Sequence, residues 1–433
     1  MGLAPFSSGR LGGAAELLPI LPADSSQPRR GPWGPSSAYG TDSANTTNEM
    51  TSRALLLVAS VLVVVAVFFY QTGWHVPRLG DAGSIVQVYR GPQGEWPAPH
   101  LSEGVPHRPL APLPEPSYPE DNAYRPAKAQ LGEKLFFDPR LSASGSLSCA
   151  SCHDPDLGWS DGRQRSFGHA RRRGKRNSMT ILNVAFYEHL FWDGRAESLE
   201  EQALAAIQGR TEMNMGLDAL EERLGRIDGY RSLFEQSFGD ERVTARRVAK
   251  AIATFERGVT SRPSAFDRFL RGDRDAMTDR QIRGLHLFRT KARCMNCHNG
   301  ALLSDNQFHN LGQSHLGRPT QDLGQFLVTG DTSDVGAFRT PSLRDVTHTG
   351  PYLHHGLISS LREVINMYNQ GMPQVIPRAE DDHPLYPEKS RFLKPLGLTE
   401  NEKGALLDFL RSVSARPPQP AVPSLPGRQE AGR

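Results

Sequence analysis

Twice in the chain the residues run Cys-x-x-Cys-His, as Cys149-Ala150-Ser151-Cys152-His153 and as Cys294-Met295-Asn296-Cys297-His298. Two thiols at that spacing can add to the two vinyl groups of one porphyrin, and the adjoining histidine then reaches the iron as proximal ligand; this is covalent c-type haem chemistry. A zinc site would gather four thiolates, or thiolates with imidazoles, at close spacing, whereas these pairs lie roughly 140 positions apart. A redox dithiol needs no histidine at that place, still less twice. With 4 cysteines in all, nothing remains for a disulfide scaffold. Two c-type haems are expected, held by Cys149, Cys152, Cys294 and Cys297, with His153 and His298 on the irons. Such haems are attached on the outer side of the bacterial membrane, so the haem-bearing part must be exported.

The elements that position these residues follow from pattern and punctuation. The chain has 433 residues, 50 Lys plus Arg against 47 Asp plus Glu, and a formal net charge of +3. That balance excludes a polyanion-binding protein on bulk charge, so no nucleic-acid partner is expected. Residues 1–53 are rich in Gly, Ser, Ala and Pro and read as a disordered leader, with Met50 an alternative start. From Ala54 to Tyr70 every residue but Ser60 is apolar, Arg53 precedes, and no A-x-A-like cleavage site follows. Residues 54–74 therefore read as a single transmembrane signal anchor rather than a cleaved leader. Residues 75–125, with Pro109, Pro112, Pro114, Pro116 and Pro119, read as an extended spacer without a fold.

Beyond that the periodicity is helical and strand signals are few. Leu131, Leu135 and Phe136 share a face before Pro139, and Val248, Ile252 and Phe255 recur at helical spacing. Ser198 with Glu201, Thr278 with Gln281 and Thr399 with Glu402 form capping-box pairs at helix starts. The fold class is mainly α. An N-terminal haem domain is expected over 126–275 and a C-terminal one over 276–415, divided near 271–278, with residues 416–433 a polar, Pro-rich disordered tail.

Further motifs surround the haem sequences: Arg176-Asn177, Phe191-Trp192-Asp193-Gly194-Arg195, and Thr340-Pro341-Ser342-Leu343-Arg344 leading to Pro351-Tyr352-Leu353-His354-His355-Gly356. Over about residues 126–415 the chain resembles the bacterial di-haem cytochrome c peroxidases and the related di-haem enzyme MauG of methylamine utilisation. The resemblance implies two cytochrome c-like domains facing each other, the first haem peroxidatic and the second its electron-transfer partner. It implies Trp192 between the haems, with Gln202 and Glu212 above the peroxidatic one. A carboxylate there can take a proton from one peroxide oxygen and return it to the leaving oxygen. Between those two residues the family usually has a proline, where this chain has Ala206. Asn177, with the main chain of Thr349 and Pro351, matches the family's calcium site, an oxygen-only shell suited to Ca²⁺.

Two positions point different ways. His169 follows His153 by sixteen residues, the spacing of the histidine that caps the peroxidatic iron in resting peroxidases and that MauG lacks. Tyr368, in a segment that reads as a helix from Leu361, falls where peroxidases carry methionine and MauG carries tyrosine as sixth ligand of the second haem. Met367 is the alternative, but neighbours on a helix point about 100° apart, so one of the two faces the iron. A thioether raises the haem potential, whereas a phenolate favours oxidised states. MauG also has a surface tryptophan two residues before its second Cys-x-x-Cys-His, through which its protein substrate is oxidised; here that position is Ala292.

The reading favoured is a MauG-like di-haem peroxidase, anchored in the bacterial inner membrane with its body in the periplasm. Its electrons would come from a small cytochrome c or cupredoxin, or from a side chain of a protein substrate, and the basic run Arg171 to Arg176 offers a docking face. Two rival readings are a non-enzymatic di-haem electron carrier, which has no use for Glu212 and Gln202, and a haem sensor driven by release of His169.

Overall fold

The computed structural model describes residues 81–427 apart from 375 and 377–381. The leader and the Ala54–Tyr70 segment lie outside the described residues, and among the described residues no helix is long and apolar enough to cross a membrane. Helices dominate: α1 Asp81–Arg90, α2 Pro126–Phe137, α3 Leu199–Gln208, α4 Leu217–Gly225, α5 Asp228–Phe238, α6 Ala245–Arg257, α7 Ala265–Leu270, α8 Asp279–Arg289, the short α9 Phe326–Thr329, α10 Leu361–Asn369 and α11 Glu400–Ser412. Two three-residue strands, β1 Phe308–Asn310 and β2 Ala337–Arg339, pair antiparallel with Phe308 opposite Arg339.

The helix starts obey local chemistry. α2 opens on a proline, whose missing N–H costs nothing in a first turn. Thr278 and Thr399 close full capping boxes with Gln281 and Glu402. Ser198 accepts from the Glu201 N–H, while the Glu201 carboxylate reaches the N–H of Glu197 instead of Ser198. Ser360 and Glu363 form a further box that starts α10.

Two hydrophobic clusters organise the chain. The first gathers side chains from Leu131 to Val259, including Leu135, Phe136, Trp159, Tyr230, Phe234 and Ile252. The second gathers Phe266, Phe269, Leu285, Phe288, Ile365 and Phe409 with others. Each leucine taken to zero exposure contributes about 1.5–3 kcal/mol before entropy is counted. Each cluster is built on the same crossing of two helices. On α2, a Cβ at Gly132 would lie 1.9 Å from the Ala251 carbonyl oxygen of α6 and 3.0 Å from Phe255 Cβ. On α8, a Cβ at Gly284 would lie 2.0 Å from the Ala405 carbonyl oxygen of α11 and 2.7 Å from Phe409 Cβ. Both crossings need a hydrogen where other residues have a methylene. In both halves the glycine helix precedes a Cys-x-x-Cys-His turn, with the 3₁₀ turn Pro139–Leu141 interposed in the first.

The stretches on either side of these halves are not free. Where the sequence suggests an unfolded spacer, α1 and the chain after it bury Val86, Tyr89, Trp96 and Leu110 in the second cluster. The Trp96 indole donates to the Tyr89 carbonyl at 3.0 Å, and Arg289 donates to the Tyr89 hydroxyl at 3.1 Å. The prolines after α1 interrupt regular structure, but they do not prevent Trp96 and Leu110 from joining Val86 and Tyr89 of that helix in the cluster. Residues 416–427, expected as a disordered tail, cross to the first half. Pro418 O accepts from Trp159 Nε1 at 2.9 Å, Ser424 O from Lys134 at 2.8 Å and Pro426 O from Arg140 at 2.8 Å.

Candidate haem sites and the cavity between them

Cys149–Ser151 and Cys294–Asn296 each form one 3₁₀ turn, so the two thiols of each pair come to the same side. The histidine N–H closes the turn on the first cysteine carbonyl, His153 to Cys149 at 2.9 Å and His298 to Cys294 at 2.8 Å. His153 Nδ1 lies 3.3 Å from Trp159 O, and His298 Nδ1 lies 3.0 Å from Leu303 O. A carbonyl oxygen only accepts, so Nδ1 carries the hydrogen in both rings and Nε2 presents a lone pair for iron. Trp159 and Leu303 both adopt positive φ, 59° and 54°, which turns their carbonyls onto the rings.

The thiols do not look like a redox dithiol, whose pKa values are lowered. Burial pushes all four upward, Cys152 to about 11 and Cys294 to about 12. None is in a disulfide, and among the described residues the pairs do not converge on one another. Cys297 does lie with Asp305 and His309 in a group whose ligand atoms are within 4.8 Å. His309 Nε2 is committed there to the Asp305 carboxylate at 2.7 Å.

A large apolar cavity is lined by Cys294, Cys297 and His298 and by residues of α10. α10 turns Leu361, Val364, Ile365 and Tyr368 toward it, the i, i+3, i+4, i+7 face of a helix, while Met367 is not on that face. Burial and then the neighbouring Cys297 and Cys294 thiols push the Tyr368 phenol well above its ordinary range. A cation opposite it would reverse that sign. Ala292, at the position of the surface tryptophan of MauG, is buried and lines the same cavity.

Arg339 on β2 was invisible to sequence reasoning. It is 3% exposed and lines the cavity. Its guanidinium lies 3.6 Å over the Tyr187 ring, and Nε donates to the Phe191 carbonyl at 3.2 Å. Nη1 is buried without a hydrogen-bond partner, and burial holds the pKa below its ordinary value. Among the described residues no carboxylate pairs with it. A buried cation with an orphaned donor calls for an anion in the cavity, and the two carboxylates of a haem supply that chemistry. The donor set fits the group: two thiols, one imidazole lone pair, a phenol lining the same cavity, and a guanidinium to spare.

Trp192 borders the same cavity. Its indole donates to the Asn177 carbonyl at 3.0 Å, and its own carbonyl accepts from Arg339 N at 2.9 Å. The His354 ring meets it edge-on at 6.4 Å and stacks on Phe338 at 3.6 Å. Asn177 is buried, and its Nδ2 donates to the Arg163 carbonyl at 2.8 Å, which leaves Oδ1 as its acceptor end. Thr349 and Pro351 line the cavity with it. The motif arginines turn out to be braces. Arg176 binds Asp193 at 2.5 Å and Asp322 at 2.7 Å, and Arg344 binds Asp267 at 2.9 Å and the Ala111 carbonyl at 2.9 Å.

On the side of the first haem sequence, residues 209–215 fold back on α3, with Met213 N donating to the Ala206 carbonyl and Met215 N to that of Ile207. This brings Glu212 under the His169 loop, where His169 N donates to Glu212 O at 2.7 Å. Burial raises the Glu212 pKa against the opposing Arg195, so the carboxyl holds its proton longer than an exposed one. Gln202 sits half-buried on α3. His169 is half-buried with Nδ1 unpartnered. Sequence reasoning also missed Glu256 of α6, 4% exposed and with Oε2 unpartnered, whose pKa burial pushes up to about 8.

Paired thiol turns with oriented imidazoles, on two similar helical halves, define a c-type protein with two haem-attachment sites. The model of the di-haem cytochrome c peroxidase family matches residues 126–275. The chain is 41% identical to the methylamine utilization protein MauG of Methylorubrum extorquens, over 71% of this chain and 84% of that one. It is 39% identical to the cytochrome-c peroxidase IdrP1 of Pseudomonas sp. (strain SCT), over 75% of this chain and 90% of that one. Its fold is similar to the crystal structure of a MauG-like protein associated with microbial copper homeostasis, with a TM-score of 0.64 and 31% identity, covering 72% of this chain and 95% of that one. The chain belongs to the family of di-haem cytochrome c peroxidases and MauG, enzymes that carry two c-type haems.

Proposed function

We propose that the protein is a MauG-like di-haem peroxidase, its two cytochrome c-like domains facing each other across Trp192. The observation that carries this reading is that α10 turns Tyr368, and not Met367, toward the cavity of the second thiol pair. When bound, the haems supply the redox chemistry that takes electrons to hydrogen peroxide. His153 and His298 would hold the irons, Tyr368 would be a further ligand for the second, and Arg339 would pair with a haem carboxylate. Glu212, whose pKa burial raises, would deliver a proton to the leaving peroxide oxygen, and Gln202 would orient the substrate beside it. Trp192, held at its indole N–H by Asn177 and at its carbonyl by Arg339, is the aromatic group between the two sites. Asn177 Oδ1 with the Thr349 and Pro351 carbonyls would hold Ca²⁺. The Ala54–Tyr70 segment would anchor the chain in the bacterial inner membrane with this body in the periplasm. Electrons come from a small cytochrome c or cupredoxin, or from a side chain of a protein substrate. His169 supports a second reading of the resting state, in which its unpartnered ring closes the first site until the second haem is reduced.

The test is electron paramagnetic resonance with optical spectra on the ferric protein, comparing wild type, Tyr368→Phe and His169→Ala before and after peroxide. One high-spin haem, a low-spin signal altered in Tyr368→Phe, and reaction with peroxide without prior reduction are expected. Two low-spin haems silent to peroxide until half-reduced, with Tyr368→Phe unchanged, would overturn the MauG-like reading.

A further inference from the structure

Both haem-site histidines are held by one device, a carbonyl turned onto Nδ1 by a residue of positive φ, yet the two residues that supply it are anchored differently. Leu303, which serves His298, is fully buried and has no polar atom in its side chain. Trp159, which serves His153, is 1% exposed, and its indole Nε1 donates to the Pro418 carbonyl at 2.9 Å, 259 positions away. One residue therefore faces the first site with its main chain and the C-terminal segment with its side chain. The rest of Trp159 is fixed as well. Its carbonyl also accepts from Ile181 N at 3.2 Å, its N–H donates to the Asp154 carbonyl at 2.8 Å, and its ring centroid lies 5.9 Å from that of Phe136.

The segment that holds the indole is made for that task. After α11 the Ala415 N–H donates to the Asp345 carboxylate at 2.7 Å. Residues 416–427 then include Pro417, Pro418, Pro420, Pro423 and Pro426. Proline fixes φ and removes the backbone donor, so such a segment loses little entropy on ordering and offers mainly carbonyls. Carbonyls are what it uses on Trp159, Lys134 and Arg140. Gln419 Nε2 donates to Asp156 at 2.8 Å, in the same turn as Trp159. That turn is also seated against the second half, since a Cβ at Gly158 would lie 2.6 Å from the His348 carbonyl oxygen.

We infer that residues 416–427 are a strap that acts through Trp159 to position the proximal histidine of the first haem site, and so sets the potential of that haem separately from the second. Trp159 is a positioning residue, reaching the ligand His153 and not the iron. A carbonyl held firmly on Nδ1–H makes the imidazole a stronger donor at Nε2, which favours the ferric state. The inference rests on His153 holding an iron, and it is the same for either branch of the family.

The experiment compares the full-length holoprotein with three variants. Trp159→Phe keeps a ring and loses the N–H. Pro417→Gly/Pro418→Gly/Pro420→Gly frees the strap and leaves the haem pocket intact, and the third variant combines the two. Midpoint potentials of both haems are read by spectroelectrochemistry, and the iron–histidine stretching band of the first haem by resonance Raman on the reduced protein. In each variant the first-haem potential should rise and its iron–histidine band move to lower frequency, while the second-haem potential stays. The combined variant should shift no further than Trp159→Phe alone, because both changes cut one link. A Trp159→Phe holoprotein with wild-type potentials would overturn the inference. A glycine variant with wild-type potentials beside a shifted Trp159→Phe would do the same, since the indole would then act without the strap. Equal shifts at both haems would mean general loosening, and shifts that add in the combined variant would mean two unrelated effects; either rejects the strap. Should Trp159→Phe not load haem, the glycine variant decides by the same two potentials. Reduced wild type without an iron–histidine band would instead overturn the assignment of His153 as iron ligand.

Discussion

A guanidinium that is 3% exposed and faces no carboxylate among the described residues costs free energy unless the cavity supplies an anion. Arg339 is in that position, and its Nη1 has no partner. Its replacement by methionine keeps the volume and removes the charge, so two effects separate. In chain without haem the burial cost disappears and stability rises or holds. In the holoprotein a positive charge next to a haem carboxylate is lost, the ferric state gains, and the potential of the second haem falls. Potentiometric titration of Arg339→Met against wild type reads this directly; an unchanged potential for both haems would remove Arg339 from the carboxylate. The contrast with the thiol pairs shows what a sequence can convey at this scale. Cys149, Cys152 and His153 are legible because the porphyrin dictates their spacing within five residues. Arg339 is not legible, because its importance lies in what is missing around it, and that is a property of three dimensions. Arg176 and Arg344 were legible as motif members, but their ion pairs with Asp193, Asp322 and Asp267 were not.

Between helices, the strongest constraint is the pair of glycine crossings. Substituting alanine for Gly132 or Gly284 gains about 1 kcal/mol of helix propensity. The new methyl would stand 1.9 or 2.0 Å from a backbone oxygen of the opposing helix, and backbone in a packed crossing cannot step aside as a side chain can. Overpacking costs about 1–3 kcal/mol even in forgiving sites, so the loss wins. Both variants should unfold at lower denaturant concentration than wild type. Alanine at Gly145 or Gly397 would test positive φ without any clash, since nothing lies within 4 Å of either. A Gly284→Ala variant as stable as wild type would mean that α8 and α11 slide freely. Several helices were readable from caps and periodicity: α3, α8 and α11 from their caps, α10 from Leu361, and α6 from the spacing of Val248, Ile252 and Phe255. The repetition of the glycine crossing was not read, because the stretch from Gly132 to Cys149 is longer than that from Gly284 to Cys294 and hides the period. The buried spacer and the tail escaped for another reason. Their backbones make no regular ladder, and their order comes from contacts with residues far away in sequence.

Across the whole molecule, Arg176 ties three separate segments together: its own, next to Asn177; the Trp192 motif through Asp193; and the second half of the chain through Asp322. All three side chains are at most 14% exposed. Burial alone would raise the Asp322 pKa, yet the two bonds from Arg176 win and hold it below the ordinary carboxylate range. A carboxylate depressed in this way contributes stability that is fully present above about pH 4 and is lost as pH falls through its folded-state value. Replacing Arg176 with methionine inverts the sign. Asp322 then faces no cation, while Asp193 keeps Arg195 at 2.8 Å; the cost at neutral pH is about 3–5 kcal/mol, and burial now raises the Asp322 pKa. Protonation on mild acidification becomes a relief, so the variant should regain stability as pH falls from about 7 to about 5, where wild type holds steady. Urea unfolding midpoints of the two proteins at both pH values measure the crossing trend. A variant that is destabilised equally at both would show that Arg176 acts by packing, and one that matches wild type at neutral pH would show that the halves are held together elsewhere. Because the Trp192 indole hangs from the Asn177 carbonyl, one residue from this brace, the same variant should also broaden the Trp192 environment at neutral pH and recover it at the lower pH.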